Sequence, residues 1–291
     1  STNMNANEVI ANRALELLGH AKGEYQHLHP NDDVNRSQST NDSYPTAVKI
    51  GVAREAIESA DAVNKLRDAF ESKAKEFADV LKMGRTEEQD AVPITLGQEF
   101  HAYATMIEDA RLRVAEAGRL LLHVNQGATA IGTGINSPPG FPGAVVKRLR
   151  EVSGLPIEGA EDLVEATQDA GEFVHMSASL KRAAVQISKI CRDLRLMSSG
   201  PRCGLGEIKL PPLQPGSSIM PGKVNPVIPE AVAMVAAQVI GSDATITLAG
   251  QSGNFQLNVM LPVIAWNLLE SLRLLANAAR ALESQAIAGF T

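Results

Sequence analysis

The residues best suited to chemistry lie in one run, Gly216-Ser217-Ser218-Ile219-Met220-Pro221-Gly222-Lys223-Val224-Asn225-Pro226. Two glycines permit positive φ and close backbone approach. Successive backbone N–H groups in such a loop form a nest for an anion. Lys223 and Asn225 add a charge and a neutral donor, and the helix expected to follow presents its positive end. This is a setting for a carboxylate or phosphate. A serine hydroxyl is a poor base, but a strongly positive field stabilises its alkoxide and makes it usable. Ser217 and Ser218 are therefore candidates for more than turn formation, although a Gly-Ser-Ser loop alone is more often only a surface turn.

Two further polar strings accompany it. Ser37-Gln38-Ser39-Thr40-Asn41-Asp42 opens a long helical segment. These are N-cap residue types, yet Ser39, Thr40 and Asn41 offer more donors than one cap can use. They suit a carboxylate together with an amino or hydroxyl group. Gly84-Arg85-Thr86-Glu87-Glu88-Gln89-Asp90-Ala91-Val92-Pro93 reads as a charged turn between helices. In it Thr86 is a donor, and Glu87 is a partner for a cationic amine. No nucleotide-binding glycine fingerprint, G-x-S-x-G elbow or H-E-x-x-H pair occurs.

The elements that must position these strings are mostly helical. Val63, Leu66, Phe70, Phe77 and Leu81 form one apolar stripe; Leu96, Phe100, Tyr103, Ile107, Val114 and Leu121 form another. Thr167 to Ser198 carries Val174, Leu180, Ile187 and Leu194 at helical spacing. A last helix spans about Leu257 to Ala286 through Leu261, Ile264, Leu268, Leu272 and Leu275. Val227 to Leu248 is apolar on nearly every side and predicts a fully buried helix, with Gly241-Ser242 permitting a bend. Segments of roughly thirty residues would reach on the order of 45 Å and pack best as a bundle. A helix needing neighbours on all sides points to an oligomer. Connections fall at His29 to Pro45, Gly84 to Pro93 and Leu210 to Pro226.

Totals restrict the function classes. The chain has 291 residues, 44% hydrophobic and 21% charged, enough for a large core. Its net charge of -6 gives no support for nucleic acid or an anionic membrane as partner. No uninterrupted apolar run is long enough to span a membrane. Two cysteines, Cys191 and Cys203, make no disulfide framework and fit a reducing, cytoplasmic compartment. No metal-type spacing joins them to the six histidines, so no metal site is expected.

The run from Gly216 to Pro226 resembles the signature loop of the aspartase/fumarase superfamily. Asn3-Met4-Asn5, His29-Pro30-Asn31-Asp32, Ser39 to Asp42, Gly84 to Pro93, Gly132-Thr133-Gly134 and Ser199-Gly200-Pro201-Arg202 match in order, so the resemblance covers essentially the whole chain. It implies an all-α fold: residues 1–291 would be the family's central long-helix bundle, which builds a homotetramer core, with the small N- and C-terminal domains lying outside this chain. It implies active sites assembled from three subunits. It implies Ser217 as the base that removes a proton next to a carboxylate, giving an aci-carboxylate dianion that expels its leaving group to form fumarate. Lys223 and Asn225 would hold a substrate carboxylate, and Ser39, Thr40, Asn41, Thr86 and Ser218 would complete the pocket. No redox cofactor is implied; some members respond to a divalent cation, for which no site is readable.

Within the family, fumarases and some aspartases place a histidine after the Thr of the third string, paired with a Glu beyond the signature loop. Here Glu87 stands in that position, opposite Glu230. The relay that would help hydroxide leave is absent, so the resemblance is nearer to the branch that releases ammonia from L-aspartate. Val227-Ile228-Pro229-Glu230 and Ala160-Glu161-Asp162-Leu163 agree with that branch. His29-Pro30-Asn31-Asp32, which marks a second anion site in fumarases, keeps the hydratase as the alternative. A catalytically silent helical scaffold, cut from a longer chain, is the third reading.

Overall fold

A computed structural model describes residues 2–291. The chain is largely helical. In order it forms α1 (Thr2–Leu17), α2 (Thr40–Glu76), β1 (Leu81–Thr86), β2 (Gln89–Thr95), α3 (Leu96–Leu120), β3 (His123–Val124) and α4 (Phe141–Ser153). There follow β4 (Glu158–Gly159), α5 (Leu163–Gln168), α6 (Gly171–Met197), α7 (Val227–Gly250) and α8 (Leu261–Leu282). The helices divide between two compact units. The first comprises Ser1–Arg54, Gly118–Val174 and Ile246–Trp266; the second comprises Glu55–Ala117, His175–Thr245 and Asn267–Thr291.

In the first unit, the start of α2 is the organising feature. Ser39 caps it: its Oγ accepts the Asn41 N–H at 3.2 Å, while Asp42 Oδ1 accepts the Ser39 N–H at 2.9 Å. This is a reciprocal capping box. Asp42, 0% exposed, does more. Its Oδ2 accepts the N–H groups of Gly127 at 3.2 Å and Thr129 at 2.9 Å, and the Ser43 hydroxyl donates to Oδ1 at 3.2 Å. Burial pushes the Asp42 carboxyl above its usual range, and these four hydrogen bonds pull against that shift.

Pro45 lies inside α2, not in the connection expected to end there. Proline has no N–H, so the carbonyl of Asn41 loses its helical donor. Asn125 Nδ2 supplies it, donating to Asn41 O at 3.0 Å and also to Thr167 Oγ1 at 3.0 Å. Asn41 Nδ2 in turn donates to Ala130 O at 2.7 Å. Beneath this knot, β3 pairs in parallel with β4, and Val124 and Ile157 pack with Ala53, Leu122 and Val146.

The second unit is built on aromatic packing. Phe70, Phe100, Tyr103 and Phe290 are fully buried, with Phe100 stacked on Phe290 at 4.9 Å and edge-on to Tyr103 at 5.6 Å. The Tyr103 hydroxyl, with one proton to donate, lies 3.0 Å from a Glu99 carboxylate oxygen and 2.9 Å from one of Asp193.

Three expectations are corrected. Leu81 is not on a helical stripe: α2 ends at Glu76, and Leu81 opens an antiparallel hairpin in which Thr86 pairs with Gln89. The helix expected over Thr167 to Ser198 is broken at Asp169, whose carboxylate caps Gly171 N–H at 2.8 Å and starts α6 afresh. Residues 227–248 lie within α7, yet Met234 is 72% exposed and Leu248 is also uncovered. One chain cannot surround a helix that is apolar on every side. By length and composition α7 is long and apolar enough to cross a membrane, although interrupted by polar residues. One of these, Asp243, is buried and held by Ser177 at 2.8 Å and Lys181 at 2.6 Å.

The knot at α2 is testable. Asp42→Asn presents an amide nitrogen where only acceptors fit, leaving buried N–H groups unmatched at about 1–3 kcal/mol each. Chemical denaturation should show a loss of about 2–4 kcal/mol; a midpoint equal to that of the parent protein would contradict this role for Asp42.

Candidate active site

The signature loop is closed at its base and open at its tip. Gly216 N–H donates to Lys223 O at 2.7 Å, and Asn225 Nδ2 donates to Gly216 O at 3.1 Å. The two arms lie so close that a Cβ on Gly216 would sit 2.8 Å from Asn225 Oδ1, so glycine is required there. Gly222 turns the chain back at φ +74°. Val227 N–H then donates to Asn225 O at 2.9 Å and leads into α7.

Ser217 sits inside this fold-back. Its Oγ accepts two backbone N–H groups, from Ile219 at 3.2 Å and Met220 at 3.1 Å. Donors aimed at an oxygen favour its anionic form. These two N–H groups are thus taken up by the hydroxyl oxygen of Ser217 itself, where the sequence suggested a ligand carboxylate or phosphate. Ser218 and Lys223 are exposed, and among the described residues neither side chain has a hydrogen-bond or ion-pair partner. Asn225 spends one amide hydrogen on the loop base and keeps the other. Ile219 is 83% exposed, so the loop tip projects from this chain uncovered.

The hairpin carrying Thr86 and Glu87 belongs to the same unit. Arg85 bonds Glu207 at 2.6 Å and lies 3.4 Å from Asp90; Lys82 reaches Glu99 at 3.1 Å and Glu207 at 3.3 Å. These pairs anchor the strands, and Gly84 lets them approach: a Cβ there would meet Val92 O at 2.7 Å. The tip is a two-residue turn in which Glu87 and Glu88 both take positive φ, 54° and 62°. Such turns ordinarily use Asn and Gly, and the strain is stored where the candidate residue is displayed. Glu87 is exposed. Glu230, in the first turn of α7, lies 3.9 Å from Arg195. Among the described residues no hydrogen bond joins Thr86 or Glu87 to the signature loop.

Ser39, Thr40 and Asn41 lie in the first unit, at the capped start of α2. Thr40 donates its hydroxyl to Asn3 Oδ1 at 2.9 Å, and Asn41 gives an amide hydrogen to Ala130 O. The Ser39 hydroxyl proton, the Thr40 lone pairs and Asn41 Oδ1 remain for a ligand. Sequence reasoning missed the groups that hold this string, Asn125, Gly127 and Thr129. The only signal was their nearness to Gly132-Thr133-Gly134. His29, read as part of a second anion site, uses Nδ1 to accept the N–H groups of Asn31 at 3.1 Å and Asp32 at 3.3 Å. It fills the donors an anion would use.

The buried thiol of Cys191 is poorly placed as a nucleophile. Burial pushes the Cys191 thiol up to about 12, so it stays protonated at neutral pH.

The chain is similar to several known lyases. A family profile described as Lyase matches residues 1–241. Aspartate ammonia-lyase of Pseudomonas aeruginosa is 59% identical over 292 residues, covering 100% of this chain and 62% of that protein. The Escherichia coli enzyme of the same name is 56% identical, covering 100% of this chain and 61% of that protein. Among solved structures, a fumarate lyase:delta crystallin from Brucella melitensis bound to cobalt is 54% identical with a TM-score of 0.98. It is covered over 63% of its length and this chain over 100%. A class II fumarase from Schistosoma mansoni is 36% identical with a TM-score of 0.97, over 100% of this chain and 64% of that one. The chain therefore spans about three fifths of the length of these relatives. With a matching profile across most of its length and relatives more than half identical from end to end, the chain belongs to the lyase family of the aspartase and fumarase type.

Proposed function

We propose that this chain is the helical core of an enzyme that eliminates ammonia from L-aspartate to give fumarate. The observation that carries the reading is Ser217 Oγ held by the N–H groups of Ile219 and Met220. As an alkoxide, this oxygen takes a proton from the carbon next to one substrate carboxylate. The electron pair moves onto that carboxylate as an aci-carboxylate dianion, then returns to form the double bond while the carbon–nitrogen bond breaks and ammonia leaves. Lys223 and Asn225 neutralise the growing charge, and preorganised donors of this kind are typically worth ~3–4 kcal/mol each. Ser39, Thr40, Asn41, Thr86 and Ser218 bind the rest of the substrate. Every step is a proton transfer or an elimination, so no redox cofactor takes part.

The choice of ammonia over water as leaving group rests on Glu87 and on the relatives' names. A carboxylate at the hairpin tip suits a departing ammonium, whereas hydroxide departure needs an acid. Assembly into a homotetramer with shared sites is supported by the uncovered apolar face of α7 and by the open loop tip with Ile219, Met220 and Val224. The cytoplasm as compartment is supported by two free cysteines, Cys191 and Cys203.

Ser217→Ala should reduce fumarate formation from L-aspartate by at least roughly 10²–10⁴-fold, the usual worth of a positioned base, with thermal unfolding and assembly size unchanged. Turnover equal to the parent's would remove Ser217 as base. Glu87→His restores the fumarase-type residue and should bring measurable release of fumarate from L-malate. An unaltered substrate profile would show that Glu87 does not set the leaving group.

A further inference from the structure

The turn that leaves α1 gathers three side chains that the proposed reaction does not use. Gly19 and Gly23 both take positive φ, +85° and +87°, and fold residues 18–27 back on themselves. One donor atom from each of His20, Glu24 and His27 then lies within 4.8 Å of the other two. His20 Nδ1 is 3.4 Å from Glu24 Oε2, and the His20 and His27 rings stack with centroids 3.9 Å apart and planes inclined by 12°. Asn12 on α1 pins the turn: its Oδ1 accepts Gly23 N–H at 2.9 Å and its Nδ2 donates to the Tyr25 hydroxyl at 3.1 Å. Ala21 N–H orients Glu24 by donating to Oε2 at 3.1 Å. The neighbouring cation, Lys22, is drawn aside by Glu16 at 3.1 Å.

We propose that His20, Glu24 and His27 bind a divalent transition-metal ion of the zinc type. Two imidazole nitrogens and one carboxylate oxygen form a donor set that favours zinc-like ions over magnesium or calcium. Zinc bonds of about 2.0–2.1 Å put tetrahedral donors roughly 3.3 Å apart, so closure needs movements on the order of 1 Å. Stacked rings cannot both aim an in-plane lone pair at one ion, so one ring must turn. His27 is the one placed to do so: it is exposed, and among the described residues no hydrogen bond holds its ring. His20 is half-buried and already set by Glu24. The ion is received by this pair, His27 swings onto it, and solvent keeps the fourth position. The spacing H-x3-E-x2-H matches no familiar zinc pattern, so the sequence did not disclose the group; two glycine turns assemble it. A bound ion clamps the turn between α1, which carries the Asn3 partner of Thr40, and the His29 turn that precedes α2.

Isothermal titration of the chelator-treated protein with Zn²⁺ tests this directly. One ion per chain should bind, excess Mg²⁺ should not displace it, and the unfolding temperature should rise with Zn²⁺ by mass action. His20→Ala, His27→Ala and Glu24→Gln should each weaken binding by at least about tenfold, while His101→Ala, at an exposed histidine elsewhere, should leave it unchanged. His27→Ala and Glu24→Gln alter accessible side chains, so they decide the matter even if His20→Ala unfolds. No Zn²⁺ binding to the parent protein, displacement by Mg²⁺, or equal affinity in parent and variants would overturn the proposal.

Discussion

A buried carboxylate sets the terms for the start of the longest helix. Asp42 accepts four hydrogen bonds, two from the cap of α2 and two from the loop at Gly127 and Thr129. Without them, an anion with no exposure to solvent would be costly. Pro45 adds a second demand, because it strips the carbonyl of Asn41 of its helical donor, and Asn125 meets it. The two demands are met by one loop, five residues long. Asn41 and Asp42 are therefore tied to residues more than eighty positions away, Ser39 is tied to Asp42, and Thr40 to Asn3. Donors already oriented in this way would not have to be ordered by a ligand.

The signature loop follows a different logic. It is held at its base by Gly216, Lys223 and Asn225, while its tip is exposed and apolar. The backbone N–H groups of Ile219 and Met220 fix the Ser217 oxygen within the loop. At the tip Ile219 is largely uncovered, Met220 and Val224 are half-exposed, and Met234 of α7 is exposed as well. Burial of such surface is worth about 25 cal/mol per Å². This apolar surface is what the proposed assembly of copies would bury.

Much of this was legible. The stripes through Leu66 and Phe70, through Phe100, Tyr103 and Ile107, and through Ile264, Leu268 and Leu272 are buried on the helices they predicted, because helical period and core burial are one pattern. The site strings lie at helix ends and turns as expected, since their Gly, Ser, Asn and Pro content suits no other place. What was not legible depends on distant partners or on broken local rules. The hairpin tip uses Glu87-Glu88 where Asn and Gly would have signalled a tight turn. Pro45 argued for a connection, and only Asn125 makes it tolerable inside α2. α7 was expected to be covered on all sides, but composition cannot say whether its neighbours belong to the same chain. The His20, Glu24 and His27 group is invisible until two glycines turn the backbone.

The most direct test of the central claim is the ultraviolet absorbance of fumarate, followed with the protein supplied separately with L-aspartate and L-malate. The roles proposed for Ser217, Lys223 and Glu87 predict fumarate from L-aspartate and none from L-malate. Fumarate from L-malate alone, or from neither substrate, would contradict it.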